Sequence, residues 1–231
     1  MEKFKLKIIA GVSAIVLLST SAMAGSLGLG ISGGAYYMET SGTETLKDSA
    51  VKQSAKEDAK AAIGAAYIQW TMADDGFVLG YEIMPGKLKL GQGSSVVSDV
   101  TNTNGTRTKY EQKAEAELKN HQTIYVETPG LFGGKNGGLY LTAGVNYVKL
   151  KTLESLGTGT SYPNENIWGA RWGLGWKSIQ DEGKGMVLKV LAEYNDYETV
   201  VLNGNASDGK VNKIEADPEA YGLKLSIGFN F

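Results

Sequence analysis

The 231-residue chain has no cysteine, four prolines and one histidine, His121. Without cysteine it can build neither a disulfide framework nor a thiolate metal site, and it has no thiol for a lipid anchor. Four prolines against 31 glycines favour an all-β chain with many turns. Beyond the N-terminus no run of 18 apolar residues occurs, which excludes a helical membrane protein. It does not exclude a β-barrel, whose spanning signal is alternation rather than bulk hydropathy. Nor is there an excess of one charge: 23 basic and 25 acidic residues give no electrostatic footprint for nucleic acid.

The N-terminus has the order of a secretory signal. Lys3, Lys5 and Lys7 form a basic start, Ile8 to Leu18 is apolar, and Ala22-Met23-Ala24 is a small-x-small cleavage site. Residues 1–24 are expected to be a signal peptide and residues 25–231 a single domain. The apolar stretch falls short of the ~20 residues a spanning helix needs. Cleavage removes three Lys and one Glu, leaving 20 basic and 24 acidic residues and a net charge of −4.

From Gly25 onward, eight segments alternate apolar with small or polar residues at period two. In the last, Tyr221, Leu223, Leu225, Ile227, Phe229 and Phe231 share one face, and Gly222, Lys224, Ser226, Gly228 and Asn230 the other. The sixth sets Trp168, Ala170, Trp172, Leu174 and Trp176 against Gly169, Arg171, Gly173, Gly175 and Lys177. Segments beginning near Leu27, Phe77, Leu139 and Leu188 agree. Two are weaker: residues 62–72 are mostly Ala, Gly and Ile, and Asn120 and Gln122 fall on the lipid face above Ile124 and Val126. The connections alternate in length. Long links near 39–61, 85–118, 151–166 and 196–220 fall on one side; short or medium links near 73–76, 128–138 and 180–184 fall on the other with both termini. The pattern predicts an all-β, eight-stranded antiparallel transmembrane barrel with four long extracellular loops, short periplasmic turns and periplasmic termini. A strand of ~10 residues tilted by ~40° spans about 25 Å, the apolar band of an outer membrane.

Aromatic rings favour the two membrane interfaces. On the apolar faces Trp70, Phe77, Trp176, Phe229 and Phe231 gather at the turn end, and Tyr37, Tyr147, Trp168, Tyr194 and Tyr221 at the loop end. Trp172 and Tyr81 fall nearer mid-membrane and fit neither girdle. A soluble sandwich or lipocalin-like barrel also alternates, but its second face would be charged and water-facing. Here that face is rich in Gly, Ser, Thr and Asn.

The closing Gly228-Phe229-Asn230-Phe231 resembles the C-terminal signal, carried by Phe229 and Phe231, by which outer-membrane barrels are recognised for insertion. Over residues 25–231 the chain resembles the outer membrane protein A and X group of small barrels, without a periplasmic peptidoglycan-binding domain. The resemblance implies an outer-membrane location, surrounding lipid and lipopolysaccharide, the barrel-assembly machinery as a partner during insertion, and a non-enzymatic structural or adhesion-like role with ligands met through the loops. A narrow porin-like channel for small or apolar solutes is the alternative, and a lipid A-modifying enzyme the third.

An eight-stranded barrel is just wide enough for side chains to fill. Glu82, Arg171, Glu193 and Lys224 are expected at one depth on the lumen face, where two acids and two bases neutralise one another. Such a network either fills the interior or gates a narrow path. Lys177 and Lys189 lie lower and suit either version. No catalytic, cofactor-binding or metal site is expected. Lipid A deacylases resemble a His-x-Ser arrangement; His121-Gln122-Thr123 offers Thr in place of Ser, with His121 facing the lumen. Residues 203–209, Asn-Gly-Asn-Ala-Ser-Asp-Gly, are faintly like a calcium loop but lack its glycine and bidentate Glu. Ser49 to Ala62 and Thr108 to Lys119 are expected to form short external helices or extended rims.

Overall fold

The computed structural model describes residues 25–45, 52–72, 76–101, 107–133, 136–155, 162–180, 184–204 and 213–231. The expected signal peptide, residues 1–24, and the calcium-like stretch beyond Gly204 lie outside the described residues.

Nine strands form one antiparallel sheet: β1 Gly25–Thr45, β2 Lys52–Met72, β3 Val78–Thr101, β4 Arg107–Glu127, β5 Gly137–Ser155, β6 Glu165–Ile179, β7 Gly185–Tyr197, β8 Val200–Asn203 and β9 Lys213–Asn230. Each pairs with the next around the ring, β9 pairs with both β7 and β1, and the sheet closes. Strand β8 pairs with β9 just past the end of β7, so β7 and β8 are one barrel strand interrupted at Glu198-Thr199. The architecture is therefore an eight-stranded closed barrel. Closure pairs the backbone groups between strands, which a hydrocarbon surrounding requires.

The period-two alternation decides which way each side chain points. Over the turn-side half of the barrel the large apolar residues face out. Ile31 and Leu225 expose 63% and 61% of their surface, whereas Arg171 and Glu82 expose 2% and 3%. A chain folded in water has the opposite arrangement.

Three expectations are corrected. The long connections are mostly not loops. β1 pairs with β2 without a break from Gly25↔Met72 to Thr45↔Lys52, and β3 pairs with β4 as far as Thr101↔Arg107 through three register shifts. Residues 52–62 and 108–119 are accordingly strand and not helix. On β4 the apolar residues Ala114, Ala116 and Leu118 recur at every second position, as Leu88 and Leu90 do on the paired β3, so a strand gathers them on one face. Asn120 does not continue the lipid-facing row of β4. It occupies a bulge between Lys119 and Gln122 with φ of 53°, a left-handed conformation that Asn tolerates.

The third correction concerns the interior. Beyond the outer girdle the wall reverses its polarity within one pleat. Met38, Leu90, Leu118, Val148, Leu150, Ile167, Val200 and Leu202 pack inside as one cluster, while Glu39, Lys87, Lys149, Asp217 and Glu219 face outward. Apolar side chains thus lie outside in one half and inside in the other, an exchange that a change from apolar to aqueous surroundings along the strands would stabilise. Strand β2 pairs with β3 only from Ala66↔Ile83 to Thr71↔Val78, so the β1–β2 and β3–β4 hairpins separate above that level.

Candidate functional site

The lumen of the turn-side half holds two charged clusters. Strands β3, β6, β7 and β9 bring Glu82, Arg171, Glu193 and Lys224 together, all buried. Arg171 Nη1 donates to Glu82 Oε1 at 2.9 Å, and Lys224 Nζ donates to both Glu82 oxygens at 2.8 Å. Glu193 Oε2 lies 3.1 Å from Arg171 Nε and 3.2 Å from Lys224 Nζ, and its other oxygen accepts from the Tyr36 hydroxyl at 2.6 Å. The four formal charges cancel, and every carboxylate meets two cations, the condition under which buried ions are tolerated. The Arg171 guanidinium also stacks on the Tyr125 ring, 5.1 Å from its centroid.

Lys177 and Lys189 do not join this network. Both turn to Glu127 at the end of β4, a residue that the sequence reading passed over. Lys189 Nζ donates to its two oxygens at 2.8 and 2.9 Å and to Gln69 Oε1 at 2.7 Å. Lys177 Nζ lies 3.7 Å from Glu127 and donates to the Thr128 carbonyl at 2.9 Å. Gln69 in turn donates to Asn230 at 3.1 Å, tying β2 to the last strand. Glu127 shares the inward face with Tyr125 and Thr123, so its period was the available signal.

Inward tyrosines complete the filling, and they explain the glycines opposite them. Tyr36 packs on Gly222, Tyr67 on Gly30 and Gly228, Tyr125 on Gly80, and Tyr140 on Gly175; a Cβ at any of these glycines would occupy the ring's space. Between the two charged clusters remains a cavity of about 10 Å³, bordered by Glu82, Glu127, Arg171, Lys189 and Lys224. That is room for about one water. At this level the lumen is filled by side chains.

His121 faces inward, and its Nε2 contacts the Tyr197 hydroxyl at 3.0 Å. Its neighbour Thr123 donates to Asn146 at 2.8 Å, and Asn146 to Asn195 at 2.8 Å. Among the described residues no cluster of His, Cys, Asp and Glu could hold a metal ion.

The girdle residues occupy the outer wall. At the loop end Tyr194 meets Tyr221 at 5.0 Å between ring centroids and Tyr147 meets Trp168 at 4.9 Å; Tyr37 is the register partner of Tyr221. At the turn end Phe229 meets Phe231 at 5.1 Å, and Leu27, outside on β1, is the register partner of Trp70. Trp176 projects outward on β6, and Phe77 immediately precedes β3. The two aromatics that fitted neither girdle have partners. Trp172 is the register partner of Tyr194 and stacks on it at 6.3 Å, because strand tilt brings the middle of β6 level with the upper part of β7. The Tyr81 hydroxyl donates to Gln122 Oε1 at 3.0 Å, which satisfies the polar residue on the otherwise apolar face of β4.

Fold, faces and filling together define a small closed β-barrel with a lipid-type exterior, a plugged polar interior and a water-type extension. No protein-family model matches the chain, and no curated protein matches it in sequence. Among solved structures it is similar to Ail, the attachment invasion locus protein of Yersinia pestis, crystallised alone and with the heparin analogue sucrose octasulfate. The complex is 12% identical with a TM-score of 0.41, the match covering 90% of this chain and all of that one. It is also similar to Neisserial surface protein A, 12% identical with a TM-score of 0.36, over 86% of this chain and 97% of that one.

Proposed function

We propose that this chain is an integral protein of a bacterial outer membrane with a non-enzymatic, surface-interaction role. Its termini lie on the periplasmic side, its four long hairpins project outward, and residues 1–24 direct export. The observation that supports this reading is the reversal of polarity along each strand. One half of the barrel wall is apolar outside and charged inside, the other charged outside and apolar inside, with aromatic rings between. Hydrocarbon on one side of that boundary and water on the other is the environment in which both halves are stable. Outward-reaching hairpins present broad, paired, polar surfaces, which suit contact with other molecules better than passage of solutes, since the axis is filled.

The experiment is refolding of residues 25–231 from urea with and without detergent micelles, followed on unheated gels, together with protease treatment of whole cells. Heat-modifiable mobility that depends on detergent, and cleavage confined to the external hairpins, are expected. A chain that folds as a monomer in plain buffer overturns the membrane reading. A folded barrel with proteolysis only from the periplasmic side overturns the orientation.

A further inference from the structure

On the outer wall, the level next above the aromatic girdle differs from one side of the barrel to the other. On β1, β7 and β9 it carries Glu39, Asp196 and Glu219. On β3, β4 and β5 it carries Lys87, Lys119 and Lys149, and these are register partners across three adjacent strands: Lys87↔Lys119 and Lys119↔Lys149. One pleat further out, Lys151 is the register partner of Glu117. Glu117 Oε2 lies 3.0 Å from Lys119 Nζ and 3.9 Å from Lys87 Nζ, and the hydrogen bond from Lys119 holds its carboxyl below the usual carboxylate range. Lys151 acts on the same carboxylate, and among the described residues no ion pair forms to Lys149. Lys119, Lys87 and Lys151 thus act on one carboxylate, whose register partner on β3 is Lys89, and Lys149 extends the row beside them. Like charges on directly opposed strand positions repel, and an anion laid against the row relieves that repulsion.

We infer that Lys87, Lys119, Lys149 and Lys151 form a binding site for the phosphate groups of an anionic lipid in the outer leaflet. The inference rests on the membrane-spanning reading and assigns residues of this chain to a lipid contact. Height selects a lipid over a soluble polyanion. Directly below the row are the paired rings of Tyr147 and Trp168, which mark the interface, so the ammonium groups stand at headgroup depth on the wall and not at the hairpin tips. Lysine suits the role, since it meets phosphate as a point charge on a flexible stem without a fixed geometry.

The test uses the folded barrel with Trp70, Trp172 and Trp176 changed to Phe, leaving Trp168 as the reporter beneath the row. It is placed in phosphatidylcholine nanodiscs with about a tenth of the lipid brominated, either as phosphatidic acid or as phosphatidylcholine. Quenching of Trp168 several-fold stronger with brominated phosphatidic acid is expected, from the roughly additive attraction of each lysine to an anionic surface. That preference should fall to within about twofold of phosphatidylcholine when all four lysines become Gln, and it should weaken with salt. Equal quenching by the two lipids, or a preference that survives the four substitutions, overturns the site. No lipid preference, with a soluble sulfated oligosaccharide instead shifting Trp168 emission in neutral nanodiscs, overturns the lipid assignment in favour of a soluble polyanion. Detergent-dependent, heat-modifiable mobility is scored first, so failure of the membrane reading is seen separately from failure of this site.

Discussion

Glu82 and Glu219 are the same side chain on opposite sides of one wall. Glu82 is buried in the lumen between Arg171 and Lys224; Glu219 faces outward above the girdle, where the Tyr221 hydroxyl donates to it at 3.3 Å. Leu225 and Leu118 make the converse pair, the first exposed on the lipid face and the second buried inside the external half. The barrel is thus two folding regimes in one sheet. In the turn-side half, apolar side chains lie outside and the interior neutralises its own charges. In the far half, where the long hairpins lie, a hydrophobic core forms as in any protein in water. The difference teaches that exposure alone does not say what a residue contributes; the solvent on its side of the wall does.

The largest effect that sharpens this contrast is removal of the lumen carboxylate. Glu82→Gln leaves Arg171 and Lys224 buried with only Glu193 to answer them, and is expected to cost about 3–5 kcal/mol. Glu219→Gln should change stability by no more than about 0.5 kcal/mol. Urea titration of the lipid-embedded protein measures both, and equal effects would break the comparison. Planar-bilayer recording of the Glu82 variant adds a functional readout: the wild type is expected to be closed, and the variant to show openings if the plug is what blocks the axis.

Next in size is Leu118→Ala, expected to cost about 2–5 kcal/mol because a cavity remains in a packed core. Leu225→Ala forfeits only the transfer of its methyl groups, about 1.5–2 kcal/mol, because acyl chains move into the space. Unfolding free energies of the two variants in the same vesicles test this, and a larger loss at Leu225 would contradict the packed external core. The smallest contrast is between glycines. Gly222→Ala puts a Cβ where the Tyr36 ring lies, while Gly33 faces outward with open space around it. The first should cost about 1–3 kcal/mol by overpacking and the second should be neutral within about 0.5 kcal/mol. Thermal unfolding in detergent distinguishes them.

Much of the turn-side half is legible in the sequence. The alternation in β9 and β6 assigned Leu225 outward and Lys224 and Arg171 inward, since a strand has only two faces. The common depth of Glu82, Arg171, Glu193 and Lys224 followed by counting from the turns. Glu127 was not legible as the partner of Lys177 and Lys189, because its depth depends on where β4 ends. Nor was the pairing of Trp172 with Tyr194, because strand stagger is a property of the closed ring. The external half was misread as loops: polar outward residues such as Lys87, Glu117 and Lys149 lowered its hydropathy, and the inward row of Leu88, Leu90, Leu118, Val148 and Leu150 has meaning only once opposing strands are in register.

The amino-acid order by itself determined the two-fold periodicity, the number of barrel strands, and which residues of each strand share a face, since these follow from backbone geometry within a single segment. Register, stagger and closure were decided by the tertiary structure. Those brought Glu127 to the two lysines, set four tyrosines on four strands' glycines, aligned Lys87 with Lys119 and Lys149, and fixed the level at which the wall turns inside out. Such contacts join residues far apart in the chain, and their free energy exists only when the ring is complete.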